Sequence, residues 1–294
     1  MIADSATDVF EEHRPLLTGV AYRMLGRVAD AEDVVQDTWL RWSRADREEV
    51  REPRAYLVRI TTRLAIDRLR QAQARSEAYV GPWLPEPYVT EFGEAAPDAA
   101  ERALLADSVS LAVMVVLESL SPLERAVFVL REAFGFPFAE IAALLDRAEP
   151  AVRQLAGRAR RHVAERRPRY DVDPAERRDL TERFLVAAGG GDLEGLMSLL
   201  APDVQLVGDS GGKAKAPVRV LHSADKVGRF LAAVSPAGAA TLSARFLEVN
   251  GGPAVLLLAG DEPESLLQLD TADGRITSVY IIRNPDKLRH LAGH

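Results

Sequence analysis

The stretch Asp30-Ala31-Glu32-Asp33-Val34-Val35-Gln36-Asp37-Thr38-Trp39-Leu40-Arg41-Trp42 decides the fold of the first part of the chain. Apolar residues recur in it at helical spacing, which predicts an amphipathic helix with one buried stripe. The members of this stripe are Ala31, Val34, Val35, Thr38, Trp39 and Trp42. The opposite face is acidic with one exposed leucine, and it consists of Glu32, Asp33, Gln36, Asp37, Leu40 and Arg41. A basic partner helix suits such a face, and so does plain solvent, so the pattern alone leaves both interpretations open.

A second amphipathic helix is predicted to begin near Pro53, because proline suits the first helical position. Its apolar contacts come from Leu57, Ile60, Leu64 and Ile66. Its outer surface is cationic and carries Arg54, Arg59, Arg63, Arg68, Arg70 and Arg75. Such arginines neutralise DNA phosphates without reading sequence. Tyr56 and the preceding loop, Ser43 to Glu52, are placed to contact an unstacked base, although a tyrosine in this position more often belongs to a core.

Between Leu120 and Val163, two short helices joined by a tight turn are followed by a basic helix, which is the pattern of a helix-turn-helix. A serine cap, a first-position proline and an early acid open the first helix at Ser121-Pro122-Leu123-Glu124. The next helix is predicted over Phe138 to Leu145, and the basic helix from Pro150.

The outward face of the basic helix carries Arg153, Gln154, Gly157, Arg158, Arg160 and Arg161. This face suits a recognition helix in a DNA major groove, with Arg153, Gln154 and Arg158 nearest the base edges and the later arginines on phosphates. Around it, residues 147–169 hold eight arginines against two glutamates, although the whole chain has a formal net charge of -7. The net charge argues against indiscriminate nucleic-acid coating, while the local excess is an anion-binding signal.

Composition excludes several other classes of protein. The chain has no cysteine, and its five histidines lack ligand-like spacing, so we expect no metal and no cofactor. No apolar run approaches the roughly 20 residues of a bilayer span, and the first ten residues do not resemble a secretory signal. We therefore expect a cytoplasmic protein with no membrane partner.

Two proline-marked junctions, residues 79–97 and 166–174, divide the chain into three segments. The segments are predicted to be a helical domain over 1–77, a second helical domain over 98–167 and a mixed domain over 174–294, with an extended linker over 78–97 between the first two. In the last segment, helices are predicted over 177–188 and 193–200, and β-rich runs over 204–207, 218–221, 244–249, 255–259, 266–270 and 276–282. This composition is α+β.

The residues themselves resemble a known family. The Asp30 to Trp42 string resembles region 2 of bacterial sigma factors, the part that docks on core RNA polymerase. Leu64 to Arg70 resembles the helix that approaches the minus-ten promoter element, and Leu120 onward resembles region 4, which reads the minus-thirty-five element. With no third region between them, the chain is identified as a member of the extracytoplasmic-function sigma factors. The resemblance implies core polymerase and promoter DNA as partners.

Three further motifs resemble the SigJ-like subgroup, whose members carry a SnoaL-like extension. They are Trp83-Leu84-Pro85-Glu86-Pro87, Asp209-Ser210-Gly211-Gly212-Lys213 and Asn284-Pro285-Asp286-Lys287-Leu288. The implied fold is multidomain, with two all-α sigma domains, a region 2 bundle and a region 4 helix-turn-helix, followed by an α+β SnoaL/NTF2-like cone domain. The resemblance also implies that these motifs form interdomain contacts, so that the cone domain regulates the sigma domains in cis and no separate anti-sigma protein is required. Ser210 stands where the subgroup usually has glycine.

Two rival readings stay open on the sequence. Related cone folds bind small molecules and some are enzymes, and Asp209, His222, Asp225 and Tyr280 are conceivable pocket groups. Fold alone does not establish activity, so sensing of an unidentified small-molecule ligand is favoured over catalysis. The other rival is an autonomous DNA-binding regulator that uses only the 120–163 region, and it differs from a sigma factor in binding duplex DNA tightly without core polymerase.

Overall fold

The computed structural model describes residues 2–46, 50–73, 79–89, 110–166, 174–239 and 241–292. They fall into two compact units. All helices up to residue 166 belong to the first, while residues 79–89 and everything from residue 174 onward belong to the second. Within the described ranges, none of the helices has the length and apolar character of a membrane span.

Three helices form the first helical module: α1 (Ile2–Leu25), α2 (Val28–Ser43) and α3 (Pro53–Gln73). The predicted stripe of α2 is confirmed, because Ala31, Val34, Val35, Thr38 and Trp42 are buried. Trp39 is half-buried, with its ring centroid 5.1 Å from that of Phe10. Inside the module the hydroxyl of Thr38 lies 3.0 Å from that of Thr61, so a polar pair joins α2 to α3 within an otherwise apolar core.

The second helical module consists of α4 (Leu111–Leu117), α5 (Pro122–Phe128), a π-helical turn (Val129–Ala133), α6 (Phe138–Leu145) and α7 (Glu149–Arg166). Ser121 caps the start of α5, as predicted, and it also forms a reciprocal capping box with Glu124. The inward face of α7 buries Val152, Ala156, Ala159 and Val163, so the predicted helix-turn-helix is present.

The two helical modules pack against each other instead of lying apart. Helix α3 contacts α5 and α6, and α1 contacts α5 and the π-helical turn. The sequence predicted two helical domains joined by an extended linker. It did not predict this packing, because the linker composition carries no information about contacts between the segments that it joins.

The described residues of the second unit form a mixed six-stranded sheet and four α-helices. The strands are β1 (Leu200–Asp209), β2 (Leu221–His222), β3 (Ser243–Val249), β4 (Gly252–Ala259), β5 (Glu262–Ala272) and β6 (Arg275–Ile282), in the order β2-β1-β6-β5-β4-β3. Only β1 and β6 pair in parallel. The helices are α8 (Pro174–Gly190), α9 (Leu193–Leu199), α10 (Ala224–Ala239) and α11 (Pro285–Leu288), which a 3₁₀ turn (Arg289–Leu291) follows.

One face of the sheet packs on α8, α9 and α10. Leu206, Val279 and Leu269 align across β1, β6 and β5 and join an apolar core with Phe184 and Leu196. The predicted α+β architecture is confirmed. Two details of the prediction were wrong or missing: the run 218–221 is a strand only at its end, and α10 was not predicted. Gly228 and Pro236 interrupt the helical signal of α10, which the apolar residues packed on β1 override.

Candidate nucleic-acid interface and linker clamp

The outer face of α2 is exposed along its length. Its members Glu32, Asp33, Gln36, Asp37, Leu40 and Arg41 are all solvent-accessible, and the side chain of Leu40 is 42% exposed. Asp33 also pairs within the protein, because Arg68 of α3 donates to it at 2.7 Å and to Asp30 at 2.8 Å. Burial alone would lower the pKa of Arg68, but its hydrogen bonds to the two aspartates raise it.

The basic face of α3 is engaged by the second helical module. The Nη2 atoms of Arg63 and Arg59 lie 3.3 Å and 3.8 Å from Oδ2 of Asp146, in the turn between α6 and α7. Arg54 lies 4.0 Å from Glu140 and stacks on the ring of Phe136. The sequence predicted the arginines of this helix as phosphate contacts. In the structure Arg68 pairs with aspartates of α2 and Arg70 pairs with Asp67 of α3 itself, while Arg54, Arg59 and Arg63 lie near carboxylates of the second module. Arg75 lies outside the described residues.

Tyr56 lies beside a cleft of about 440 Å³. The ring of Tyr56 is half-buried, and its centroid lies 5.9 Å from that of Trp42. The cleft is lined on one side by the loop and α3 and on the other by Glu140, Ala143 and Leu144 of α6. An unstacked base fits a space of this size beside an aromatic ring. Residues 47–49 of the predicted base-contacting loop lie outside the described residues.

The outward residues of α7 form a row of exposed cations, most of them oriented by carboxylates. Arg153 bonds Glu149 at 2.5 Å and stacks on Phe138. Arg158 lies 3.0 Å from Glu124, and Arg160 donates to Glu132 at 2.8 Å. Gln154 and Arg161 are exposed on the same face. The guanidinium groups suit bidentate recognition of base edges and phosphates, and DNA would have to displace the paired carboxylates to reach them.

Glu124 links the helix cap to this face. Its carboxylate accepts a hydrogen bond from the hydroxyl of Ser121 at 2.6 Å, and it also pairs with Arg158. Hydrogen bonding to Ser121, followed by the interaction with Arg158, lowers the pKa of Glu124 below its ordinary 4.5. The cap that begins α5 therefore also holds one arginine of α7.

In the second unit, linker residues 79–89, which we call the strap, are bound by the carboxy-terminal domain. The fully buried carboxylate of Asp209 accepts hydrogen bonds from the backbone N–H of Leu84 at 2.7 Å and from the hydroxyl of Tyr79. Lys287 donates to the same carboxylate at 2.7 Å and also to the carbonyl of Leu84. The Lys287 ammonium lies 4.1 Å from the ring centroid of Trp83. One buried ion pair thus holds the strap by its backbone and by an aromatic face.

The two other motifs surround this ion pair. Gly211 and Gly212 have φ values of 55° and 75°, a left-handed conformation that favours glycine. A Cβ on Gly211 would lie 2.6 Å from Nδ2 of Asn284, so the glycine also permits close approach. Asn284 donates to the Tyr79 hydroxyl at 3.0 Å, and its Oδ1 accepts from the N–H of Asp286 at the start of α11, with Pro285 at the first position. Lys213 pairs with Asp286 at the surface.

A second set of contacts fixes the far end of the strap. His290 lies 2.7 Å from the carbonyl of Pro87, and Asn250 bonds the backbone of Tyr88 through its N–H and its side chain. Val89 forms an antiparallel bridge with Val249 at the end of β3. The sequence motifs include Trp83, Leu84, Pro85 and Lys287 of this site. Tyr79, Asn250 and His290 were not predicted as contacts, because they carry no signal in a single sequence.

The four conceivable pocket groups lie in different environments. Asp209 is occupied by the strap, and His222 is exposed on β2. Asp225 pairs with Arg229 at 2.6 Å on the surface of α10. The Tyr280 hydroxyl donates to Asp270 at 2.9 Å, and burial together with the charge of Asp270 raises the pKa of Tyr280 well above its ordinary value. The four groups, which the sequence made conceivable as pocket groups, therefore have different neighbours in the structure.

The fold and the cationic α7 face define a DNA-binding transcription factor of the sigma-70 type, since residues 9–75 match the sigma-70 region 2 family and residues 110–163 match sigma-70 region 4. The chain is 42% identical to the ECF RNA polymerase sigma factor SigJ of Mycobacterium tuberculosis (strain H37Rv), over 95% of this chain and 91% of that protein. It is 33% identical to a probable ECF RNA polymerase sigma factor, SigI, of M. tuberculosis (strain CDC 1551), over 97% and 95% of the two chains.

Similarity extends to structure. The model matches the crystal structure of the M. tuberculosis extracytoplasmic function sigma factor SigJ with a TM-score of 0.75 and 36% identity, over 98% of both chains. The chain belongs to the extracytoplasmic function RNA polymerase sigma factors, in the group that resembles SigJ. It therefore acts with core RNA polymerase in promoter-specific transcription initiation, a regulatory role and not an enzymatic one.

Proposed function

We propose that the carboxy-terminal domain modulates this sigma factor in cis by holding the strap. The observation that carries the proposal is the buried Lys287–Asp209 pair, which bonds both the N–H and the carbonyl of Leu84. A backbone held at both its donor and its acceptor cannot leave without exposing or orphaning a buried charge, which is costly. The strap is therefore retained until the ion pair is disrupted or displaced.

Strap retention shortens the reach between the two DNA-binding regions. Residues 79–89 would extend over about 36 Å if they were released, at about 3.3 Å per residue. When one chain binds two promoter elements, the linker sets the effective concentration of the second binding region. A shorter linker therefore changes the distances between promoter elements that the chain can bridge. In this proposal the carboxy-terminal domain takes the place of a separate anti-sigma protein.

The residue roles follow from exposure and charge. We assign core polymerase binding to the outer face of α2: Glu32, Asp33, Gln36, Asp37, Leu40 and Arg41. The minus-ten element is assigned to Tyr56, Arg59, Arg63 and Arg68. In the structure Arg68 pairs with Asp30 and Asp33 of α2. The minus-thirty-five element is assigned to Arg153, Gln154, Arg158, Arg160 and Arg161. Region 2 then ends near residue 77, region 4 spans about 98–167, and the regulatory domain spans 174–294.

The test is transcription reconstituted with core polymerase. We expect the full chain carrying Lys287→Met to differ from the wild type in promoter output, and a chain ending at residue 173 to differ in the same direction. Lys213→Met is the matched control, because Lys213 belongs to the neighbouring motif but pairs with Asp286 at the surface. Identical output from all four proteins would overturn regulation in cis while leaving the sigma-factor identity intact. A small-molecule ligand of this domain stays a prediction.

A further inference from the structure

Asp146 occupies a fixed position on the second helical module. It ends α6 in the left-handed conformation, with φ of 59° and ψ of 50°, and its N–H donates to the carbonyl of Ala142. Aspartate is among the few residues that adopt this conformation readily. The backbone therefore aims the carboxylate, which lies within 4 Å of the guanidinium groups of both Arg59 and Arg63. Two cations converging on one anion is the arrangement expected for a bound phosphate.

Close packing accompanies this ion pair. Arg23 of α1 stacks on Phe134, with 4.8 Å between the guanidinium carbon and the ring centroid. A Cβ on Gly19 would lie 3.1 Å from Phe134, so α1 approaches the second module as near as a glycine allows. Arg54 makes the equivalent stacking contact with Phe136. Arg54 lies on α3, the helix that also carries the proposed minus-ten residues.

The same interface contains a buried cation. The side chain of Arg125 in α5 is 2% exposed, and it donates to the carbonyl of Arg23 in the last turn of α1 at 3.1 Å. Carbonyls at a helix end carry partial negative charge, which favours this contact. Arg125 also pairs with Glu118 at 2.6 Å, yet its Nη2 is buried without a hydrogen-bond partner. Burying an incompletely paired cation costs free energy. When the modules separate, hydration of Arg125 therefore offsets part of the free energy lost with the contacts between them.

We propose that Asp146 stands in for a DNA phosphate on Arg59 and Arg63 and keeps the minus-ten surface closed by region 4 until DNA or polymerase displaces it. This inference rests on the proposed minus-ten role of the two arginines and adds the residue that competes for them. Region 4 also forms one wall of the cleft beside Tyr56, so its departure opens the base-contacting side as well. The competition is electrostatic and exposed, so it weakens as salt rises.

The test uses the full chain without polymerase. Because the protein has no cysteine, two introduced cysteines at exposed Glu12 and Ala164 carry a fluorescence donor and acceptor without background labelling. We expect Asp146→Asn to lower energy transfer and to tighten binding of a 20-base-pair duplex of random sequence about threefold at low salt, the size of one or two exposed ion pairs. Asp179→Asn is the matched control, since Asp179 is an exposed aspartate of α8, outside both DNA-binding regions, and pairs with Arg183 instead.

Equal energy transfer and equal duplex affinity for the two asparagine variants would overturn the proposal. Lower transfer with no gain in duplex affinity would overturn it too, because the arginines would then not be the phosphate contacts. Gly19→Leu provides a second arm: a wedge against Phe134 should open the modules and raise duplex affinity, with helix content checked by circular dichroism. None of these measurements involves polymerase, so failure here is distinct from failure of regulation by the carboxy-terminal domain.

Discussion

The ammonium of Lys287 lies 2.7 Å from the carboxylate of Asp209, and both side chains are buried beneath the strap. The pair is separated by 78 positions in the sequence and joins the end of β1 to α11. It also has a surface counterpart, Lys213 with Asp286, built from the same two motifs. The protein therefore offers an internal comparison between a buried and an exposed ion pair.

Lys287→Met should destabilise the protein by about 3 to 5 kcal/mol, because it leaves the Asp209 carboxylate buried without its counter-charge. Lys213→Met should cost no more than about 1 kcal/mol, as is usual for an exposed pair. Urea unfolding of both variants measures the difference. Equal losses would show that the buried pair does not hold the strap.

Gly211→Ala should destabilise more than Gly260→Ala. Both glycines have positive φ, 55° and 65°, so alanine costs about 1 to 2 kcal/mol of backbone strain at either place. Only at Gly211 would the new methyl group also meet Asn284 and the Tyr79 hydroxyl, whereas nothing lies within 4 Å at Gly260. The melting temperature of Gly211→Ala should therefore be lower than that of Gly260→Ala. The reverse order would contradict the close packing of strap and domain.

Leu40→Ala should weaken binding to core polymerase by about tenfold, the effect of losing a moderately buried contact at an interface. Val186→Ala is the control, because Val186 is 78% exposed on α8, outside the proposed interface. Fluorescence anisotropy with labelled chain measures both. Unaltered affinity of the leucine variant would move the polymerase contact away from this face of α2.

Arg158→Ala should reduce binding to minus-thirty-five DNA and relax the preference at one base pair, at a cost of about 1 to 3 kcal/mol. Arg161→Ala should instead weaken binding evenly across sequences and reduce the salt slope by about 1. Competition assays with a library of single-base variants, run with holoenzyme, separate the two outcomes. If the two variants behaved alike, the division of α7 into base-reading and phosphate-binding residues would be wrong.

Stability should fall with acid partly through Glu124. Since hydrogen bonding in the folded state lowers the pKa of this carboxyl, its contribution is complete above the ordinary value of 4.5 and is lost as pH falls through the lower folded-state pKa. Glu124→Gln should flatten the decrease of the unfolding free energy below pH 4.5. Glu182→Gln, at an exposed site of α8 paired with Arg178, serves as the control and should flatten it less.

Periodicity predicted the elements well where burial is one-sided. The buried stripe of α2 and the exposed cationic face of α7 appear as predicted because each helix packs on one side only. Periodicity could not predict α10, where Gly228 and Pro236 oppose the helix that packing stabilises. Nor could it predict that Asp146 meets Arg63 or that Tyr79 meets Asp209, because these contacts bring together positions 83 and 130 residues apart. Such pairs are fixed by tertiary geometry, not by local pattern.

The order of the strap contacts along the chain determines when each of them can form during translation. Both DNA-binding regions are complete by residue 166, but the hydrogen bond to the carbonyl of Leu84 needs Lys287, 121 codons later. At about 5 to 20 residues per second, a ribosome takes about 6 to 24 s to cover that interval. Every newly made molecule thus passes through a period in which its promoter-reading parts exist and the lysine that fastens the linker does not.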